Sequence, residues 1–125
     1  MALKKIRLEL GRTPDFPEGS FSHGYEFVVP LTEDRQIDLK AWEAEQQKCT
    51  VLRFWGTAEL EHGELIRLPE GGWAFSYAPG EEDDEPIYRL VDHTFKEGEY
   101  VSITEHDGVT RAFKVVQASD WRPED

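Results

Sequence analysis

The sequence has one cysteine, Cys49, and therefore forms no internal disulfide. It also lacks long apolar runs: no uninterrupted apolar stretch exceeds three residues, whereas a membrane-spanning helix needs about 20. The first ten residues contain no apolar stretch of the kind found in signal peptides. Together these absences predict a cytoplasmic protein that does not enter a membrane.

Basic residues are few, with 14 Lys and Arg against 26 Asp and Glu, which gives a net charge of −12. A charge of this sign repels phosphates, so we expect no general binding to nucleic acid or to anionic membrane surfaces. An acidic chain can still bind a basic partner. The aromatic content of 12% excludes the class of disordered acidic chains. We predict a single domain over residues 1–125.

Alternating apolar and polar residues predict a β-rich fold. In the first strand Ile6, Leu8 and Leu10 share one face, and the same alternation recurs in residues 24–29 and 73–77. About eight short strands with regularly spaced turn signals are typical of an antiparallel barrel or sandwich. We predict a mainly β fold with one helix, built as a small antiparallel, partly open β-barrel. A two-layer α+β sheet with one packed helix is the alternative.

Residues 37–48 predict the single helix, and Asp38 is its expected N-cap. Its apolar stripe is narrow, with Leu39, Trp42 and Cys49 at helical spacing. A helix so short and polar does not form a core by itself. We therefore expect it to plug one end of the barrel.

Turn signals separate the strands. The dipeptides at 62–63 and 107–108 predict two-residue hairpin turns, the second of which would pair Thr104 with Arg111. Residues 79–86 are rich in carboxylates and predict an exposed acidic loop.

Catalytic signatures are not evident. No two of the four histidines have metal-ligand spacing, and no nucleophile elbow or phosphate-binding loop occurs, although Ser20 lies near His23. Cys49 has no nucleophile signature around it and is expected to be buried. The sequence thus identifies no catalytic residue, no metal ligand and no cofactor, and it favours a role other than catalysis without deciding the question.

Aromatic residues crowd the predicted sheet, and most are expected in the core. Arg53 and Arg89 lie within aromatic strands, where an arginine pairs with a carboxylate or stacks on a ring. Because Trp, Tyr and Arg are enriched at binding surfaces, part of this set is expected to contact a ligand or partner. The candidate contact residues are Trp55, Trp73, Tyr77, Arg89 and His93.

Several short segments carry a resemblance to known sequences. They are His23–Phe27, Arg53–Gly56, Gly72–Phe75, Asp92–His93, Gly98–Ile103 and His106–Gly108. In these segments the chain resembles a family of small uncharacterised bacterial proteins with no assigned function, and the resemblance covers most of its length. It implies a bacterial cytosolic protein and carries over no catalytic residues.

Three functions follow as hypotheses. The leading one is a non-catalytic cytosolic binding or accessory domain that uses an aromatic sheet face or the barrel mouth to bind an unidentified protein or small ligand. The second is a small enzyme or metal-binding protein built around His23 and His93. The third is an acidic mimic of nucleic acid that binds a basic protein, which requires one contiguous negative face. The oligomeric state is left open.

Overall fold

Each strand of the protein pairs antiparallel with its neighbours in the chain, and the last strand pairs with the first. The computed structural model describes residues 3–56, 59–68, 72–77, 85–87, 95–105 and 108–121. The strands are β1 Leu3–Leu10, β2 Ser20–Pro30, β3 Thr50–Trp55, β4 Glu59–Arg67, β5 Trp73–Ser76, β6 Glu85–Ile87, β7 Tyr100–Thr104 and β8 Thr110–Asp120. Helix α1, Leu39–Ala44, and a 3₁₀ turn, Gln46–Lys48, lie between β2 and β3.

The pairings between described strand residues differ in length around the barrel. Strands β1, β2 and β8 pair over long stretches, whereas β6 and β7 are in register at one described pair, Ile87 with Ile103. The predicted fold is confirmed: it is a small, mainly antiparallel β-barrel with one short helix.

Side chains fill the middle of the barrel. Alternate residues are buried from Ile6 to Leu10 in β1 and from Tyr25 to Val29 in β2, including Leu8 and Phe27, because successive strand residues point to opposite faces. The ring of Tyr25 lies 5.1 Å from that of Phe75 and 5.1 Å from that of Phe113. An eight-stranded barrel is just wide enough to be filled in this way.

Helix α1 covers one end of the barrel, as expected. Asp38 caps it by accepting a hydrogen bond from the backbone N–H of Ala41 at 3.1 Å. The Trp42 indole packs edge-on against Trp73, 5.0 Å between centroids, and donates to the carbonyl of Leu65 at 3.1 Å. The α-helix is shorter than the predicted 37–48. No helix in the described part of the chain has the length and apolarity to cross a bilayer.

The opposite end of the barrel is called the mouth. It is formed by the last residues of β1, β3 and β7 and the first residues of β2, β4 and β8. The predicted turn at 62–63 is wrong, because both residues lie inside β4, and the chain turns at Gly56 instead, with φ of +72°. A glycine occupies position 63 of the strand because the backbone of the neighbouring β5 approaches too closely to leave room for a side chain.

The β7–β8 hairpin differs from the prediction by one residue. Thr104 pairs with Thr110 rather than with Arg111. The backbone N–H of Glu105 donates to Val109, and that of Gly108, with φ of +84°, donates back to Glu105. This pattern is a longer hairpin loop with a left-handed glycine. Arg111 shares the face of β8 that carries the buried Phe113 and Val115, and the shift of one residue places this face beside Val101 and Ile103 of β7.

The predicted acidic loop at 79–86 lies mostly outside the described residues. Its last two positions, Glu85 and Pro86, belong to β6, so the strand begins earlier than expected.

Candidate functional site at the barrel mouth

A buried ion network lies just inside the mouth. Arg53 and Glu105 are 5% and 2% exposed, and Nε and Nη2 of Arg53 each lie 3.1 Å from Oε2 of Glu105. The hydroxyl of Tyr25 donates to the same oxygen at 2.6 Å. Arg111 Nη1 donates to the other oxygen, Oε1, at 2.7 Å. One carboxylate thus accepts hydrogen bonds from three side chains.

Strand register explains why these residues meet. Tyr25 on β2 lies directly opposite Arg53 on β3, and Arg111 on β8 lies opposite Ile103 on β7. Glu105 continues the inward row that runs through the buried Ile103. Two pairs of neighbouring strands, β2 with β3 and β7 with β8, therefore direct inward side chains to one point.

The network balances its own charge. Arg53 Nη1 also contacts Glu61 Oε1 at 3.4 Å, so the two arginines face two carboxylates. Buried charges are tolerated when they are paired and hydrogen-bonded. The main effect of such an arrangement here is to hold the guanidinium groups in fixed positions.

Trp55 is the next inward residue of β3 toward the mouth, and it is half-buried. The Cζ atom of Arg53 lies 4.4 Å from the centre of its ring, and that of Arg111 lies 5.6 Å away. A guanidinium over an indole is attracted by the ring's negative face. The buried network thus fixes the orientation of the Trp55 indole.

His23 stands opposite Trp55, edge-on, with 4.6 Å between ring centres. Its Nδ1 lies 2.7 Å from the Ser20 hydroxyl, and Phe16 packs on it at 4.6 Å. Burial lowers the pKa of His23 below 6.5, and the positive charge of Arg53 lowers it further, while the negative charge of Glu105 opposes the shift. The shift favours the neutral imidazole, which has one donor and one acceptor nitrogen.

The histidine is not arranged as the base of a catalytic triad. Among the described residues no carboxylate is hydrogen-bonded to its ring, and its partner is Ser20. Ser20 also accepts a hydrogen bond from the backbone N–H of Ser22 at 3.2 Å. This local pattern orients the imidazole in the wall of the mouth.

A cleft opens between the loop that follows β1 and the β7–β8 hairpin. The loop is held to β8 by a hydrogen bond from Gly11 N–H to the Ala112 carbonyl, 2.9 Å. Thr13 and Phe16 exchange backbone hydrogen bonds of 2.9 and 3.0 Å, which keep the loop compact. The cleft has a volume of about 400 Å³ and is lined by residues 12–16, Trp55 and residues 109–112.

The candidate residues predicted from the sequence are dispersed in the structure. Trp55 lies at the mouth, whereas Trp73 is 2% exposed and packs against Trp42 under the helix. Tyr77 follows β5 and lies beside Gly63, half-buried against the core. Arg89 and His93 are outside the described residues, and the pairing of His23 with His93 therefore lies outside them too.

The sequence predicted Trp55 as a contact residue and singled out Arg53, but it did not identify Glu105 and Arg111. Arg53 pairs with a carboxylate and stacks on a ring, both of which its place in an aromatic strand suggested. Glu105 was missed, although its alternation with Val101 and Ile103 placed it on the inward face. Arg111 was missed because the predicted hairpin register placed it opposite Thr104, whereas it lies opposite Ile103, on the face that carries Glu105.

The described residues contain no cluster of three or more His, Cys, Asp or Glu side chains arranged to hold a metal ion. Comparisons with protein-family models, with curated proteins and with solved structures find no match to the chain.

Proposed function

We propose that the protein is a non-catalytic binding domain of the bacterial cytosol that holds a small ligand in the cleft at its mouth. The observation that carries this proposal is the cleft of about 400 Å³ lined by Trp55 and Arg111, two side chains that the buried network holds in place. The cellular setting rests on the sequence arguments and on the family resemblance.

Preorganisation supports a binding role. Ordering a long side chain on association costs free energy, so a side chain that is already fixed binds more tightly. Arg111 is anchored through Nη1 to Glu105, whose side chain is 1% exposed. Trp55 is held by Arg53 on its ring face. The site therefore loses little conformational freedom when a ligand enters.

The dimensions favour a small molecule at the mouth over one inside the barrel. Pockets for small ligands typically have volumes of about 300–1,000 Å³, and the cleft falls in that range. The barrel interior is filled by rings such as those of Tyr25, Phe27 and Phe75.

Amide-detected NMR of ¹⁵N-labelled protein tests the proposal. The protein is titrated with a panel of monocyclic aromatic compounds that includes neutral, anionic and cationic members. We expect shifts concentrated in residues 12–16 and 109–112 and at the Trp55 indole. The proposal fails if no compound moves these signals, or if the shifts cluster around α1 instead.

Variants at two exposed or half-exposed aromatic positions sharpen the result. Trp55→Ala removes a lining residue and should abolish the shifts, whereas Phe21→Ser is the control, because Phe21 is 75% exposed and does not line the cleft. Far-UV circular dichroism of each variant verifies the fold. Should Trp55→Ala unfold the protein, Val109→Asp, at a 47% exposed lining position, replaces it.

A further inference from the structure

We infer that the ligand of this cleft is a small zwitterion that carries an apolar ring, which is the chemistry of a free aromatic α-amino acid. The inference rests on the proposed function and specifies which class of small molecule the same site selects. It follows from two unpaired charges of opposite sign in the lining and from the apolar walls beside them.

The two arginines nearest Trp55 contribute no free charge to the cleft. Arg111 Nη1 lies 2.7 Å from Oε1 of Glu105, and Arg53 contacts both Glu105 and Glu61, at 3.1 and 3.4 Å. Two guanidinium groups thus face two carboxylates, and their charges compensate each other. Any selection of a ligand by its charge therefore depends on other residues of the lining.

Arg12 and Asp15 are the remaining charged residues among those described in the lining of the cleft. Both are exposed, and neither forms an ion pair with the other or with a further residue in the described part of the chain. Glu18, the third charged residue of the same loop, does not line the cleft. The described lining therefore presents one unpaired charge of each sign.

Both charges lie on the loop that follows β1. Thr13 and Phe16 exchange backbone hydrogen bonds of 2.9 and 3.0 Å, and Asp15 lies inside the turn that this pair closes, while Arg12 directly precedes it. The arginine side chain is long and ends in several donors, so it reaches a group bound close to Asp15. An ammonium group and a carboxylate on the same carbon atom of a ligand can therefore each meet a partner.

Ligands that carry a single charge gain less from this arrangement. A carboxylate forms parallel hydrogen bonds with the guanidinium of Arg12, but the nearby carboxylate of Asp15 repels it. An amine is attracted by Asp15 and repelled by Arg12 in the same way. A zwitterion gains both attractions, and because it has no net charge it is not repelled by a chain of net charge −12.

Apolar side chains supply the contact surface for a ring. Phe16, Pro14 and Val109 line the cleft together with Trp55, and Val109 is 47% exposed. Removing this surface from water favours the binding of an apolar ring, and an aromatic ring gains further from offset or edge-on packing on Trp55 or Phe16. The cleft thus offers a surface for a ring beside a partner for each charge of a zwitterion.

Four fluorinated probes with the same ring separate the two charges from the shape. They are the zwitterion 4-fluorophenylalanine, the anion 3-(4-fluorophenyl)propanoate, the cation 4-fluorophenethylamine and the neutral 3-(4-fluorophenyl)propanamide. Dissociation constants are measured by ¹⁹F NMR line broadening against protein concentration, in about 150 mM salt, which screens charges beyond about 8 Å. We expect the zwitterion to bind about three- to tenfold more tightly than each other probe, because it forms two exposed ion pairs and each contributes up to about fivefold.

Neutralising each charge should remove one part of this preference. Arg12→Gln should weaken binding of the zwitterion and of the anion about two- to fivefold, and it should not weaken binding of the cation. Asp15→Asn should weaken the zwitterion and the cation by a similar factor and should not weaken the anion. Both side chains are exposed and outside the hydrophobic core, and Asn suits a turn as Asp does, so we expect both variants to fold. Far-UV circular dichroism verifies this.

Charge changes on α1, at the other end of the barrel, are the matched controls. Lys40→Gln removes a positive charge as Arg12→Gln does, and Glu43→Gln removes a negative charge as Asp15→Asn does. Both control residues are exposed on α1 and do not line the cleft. These two variants change the net charge of the protein equally and should leave all four dissociation constants unchanged.

The outcomes distinguish the inference from the proposed function. If the zwitterion binds no more tightly than the neutral amide, or if either cleft variant leaves its affinity unchanged, the inference is overturned and the binding function stands. Tighter binding of the anion or of the cation than of the zwitterion also overturns it. If no probe binds and the wider panel leaves the signals of residues 12–16 and 109–112 unmoved, the proposed function itself is overturned.

Discussion

Arg53 and Glu105 form an ion pair inside the barrel although they are 52 residues apart in the chain. Both side chains are almost completely removed from water, at 6% and 1% exposure. Because Tyr25 and Arg111 also donate to Glu105, this one carboxylate joins β2, β3, β7 and β8.

Replacing Glu105 with Gln should therefore strongly destabilise the protein. The amide keeps the shape of the side chain but leaves two guanidinium groups facing it without its negative charge. Breaking a buried pair by removing one partner costs about 3–5 kcal/mol. Urea unfolding followed by fluorescence measures the change in the free energy of unfolding.

Glu26→Gln is the control, because Glu26 pairs with Arg7 on the outside of the barrel, 2.9 Å from Oε2 to Nη1. Its side chain is 24% exposed, and we expect a loss of about 1 kcal/mol or less. Equal losses in the two variants would contradict the role given to the buried network.

Stability should decline as the pH falls below about 6.5, because His23 resists protonation in the folded state. Its pKa is lowered from 6.5 by burial and by Arg53. Below 6.5 the unfolded chain takes up this proton while the folded protein does not, so protonation favours unfolding. The stability contributed by neutral His23 is complete above the pKa that this residue has in the unfolded chain. It is lost as the pH falls from 6.5 toward the lower pKa of His23 in the folded protein.

The free energy of unfolding, measured across this range, should fall less steeply in His23→Gln than in the natural protein. His62→Gln is the matched control, since His62 is exposed on β4, and it should retain the natural slope. An NMR titration that places the pKa of His23 above 6.5 would rule out this account.

Much of the fold was predictable because it depends on local patterns. The alternation through Ile6, Leu8 and Leu10 identified the inward face of β1, and Asp38 marked the start of α1. The turn predicted at Gly63 was wrong, because a glycine required by a close approach between strands looks the same in sequence as a turn glycine.

The site was less predictable because it depends on register between distant strands. Arg53 was conspicuous among aromatic residues, but its partner Glu105 follows a different strand and comes close only when the barrel closes. Hairpin length then decided the partner of Arg111, since one extra loop residue shifts the register of β8 against β7 and places Arg111 opposite Ile103. Such long-range pairing is not encoded in any single segment.

Cys49 should be unreactive toward aromatic disulfide reagents in the folded protein. Burial, together with the nearby charge of Glu45, raises the pKa of its thiol from 9.0 to about 11, and the residue is 0% exposed. The thiolate that attacks such reagents is therefore scarce and inaccessible. Colorimetric titration should detect no fast thiol in the native state and one thiol per chain in denaturant. A fast reaction of the native protein would show that the structure around Cys49 opens readily.

Gly63→Ala should destabilise the barrel more than its single added methyl group suggests. A Cβ at this position would collide with the carbonyl oxygen of Ser76 and lie 2.8 Å from Cδ1 of Tyr77. The β5 backbone must move to relieve the contact, and overpacking of this kind costs about 1–3 kcal/mol or more. Gly72→Ala is the comparison, because among the described residues no atom beyond its chain neighbours lies within 4 Å of the added methyl group. The expected cost there is the backbone strain of φ at +88°, about 1–2 kcal/mol. Thermal and urea unfolding should rank Gly63→Ala as the less stable variant, with a changed near-ultraviolet dichroism from Tyr77. The opposite ranking would mean that β5 moves away from β4 at little cost.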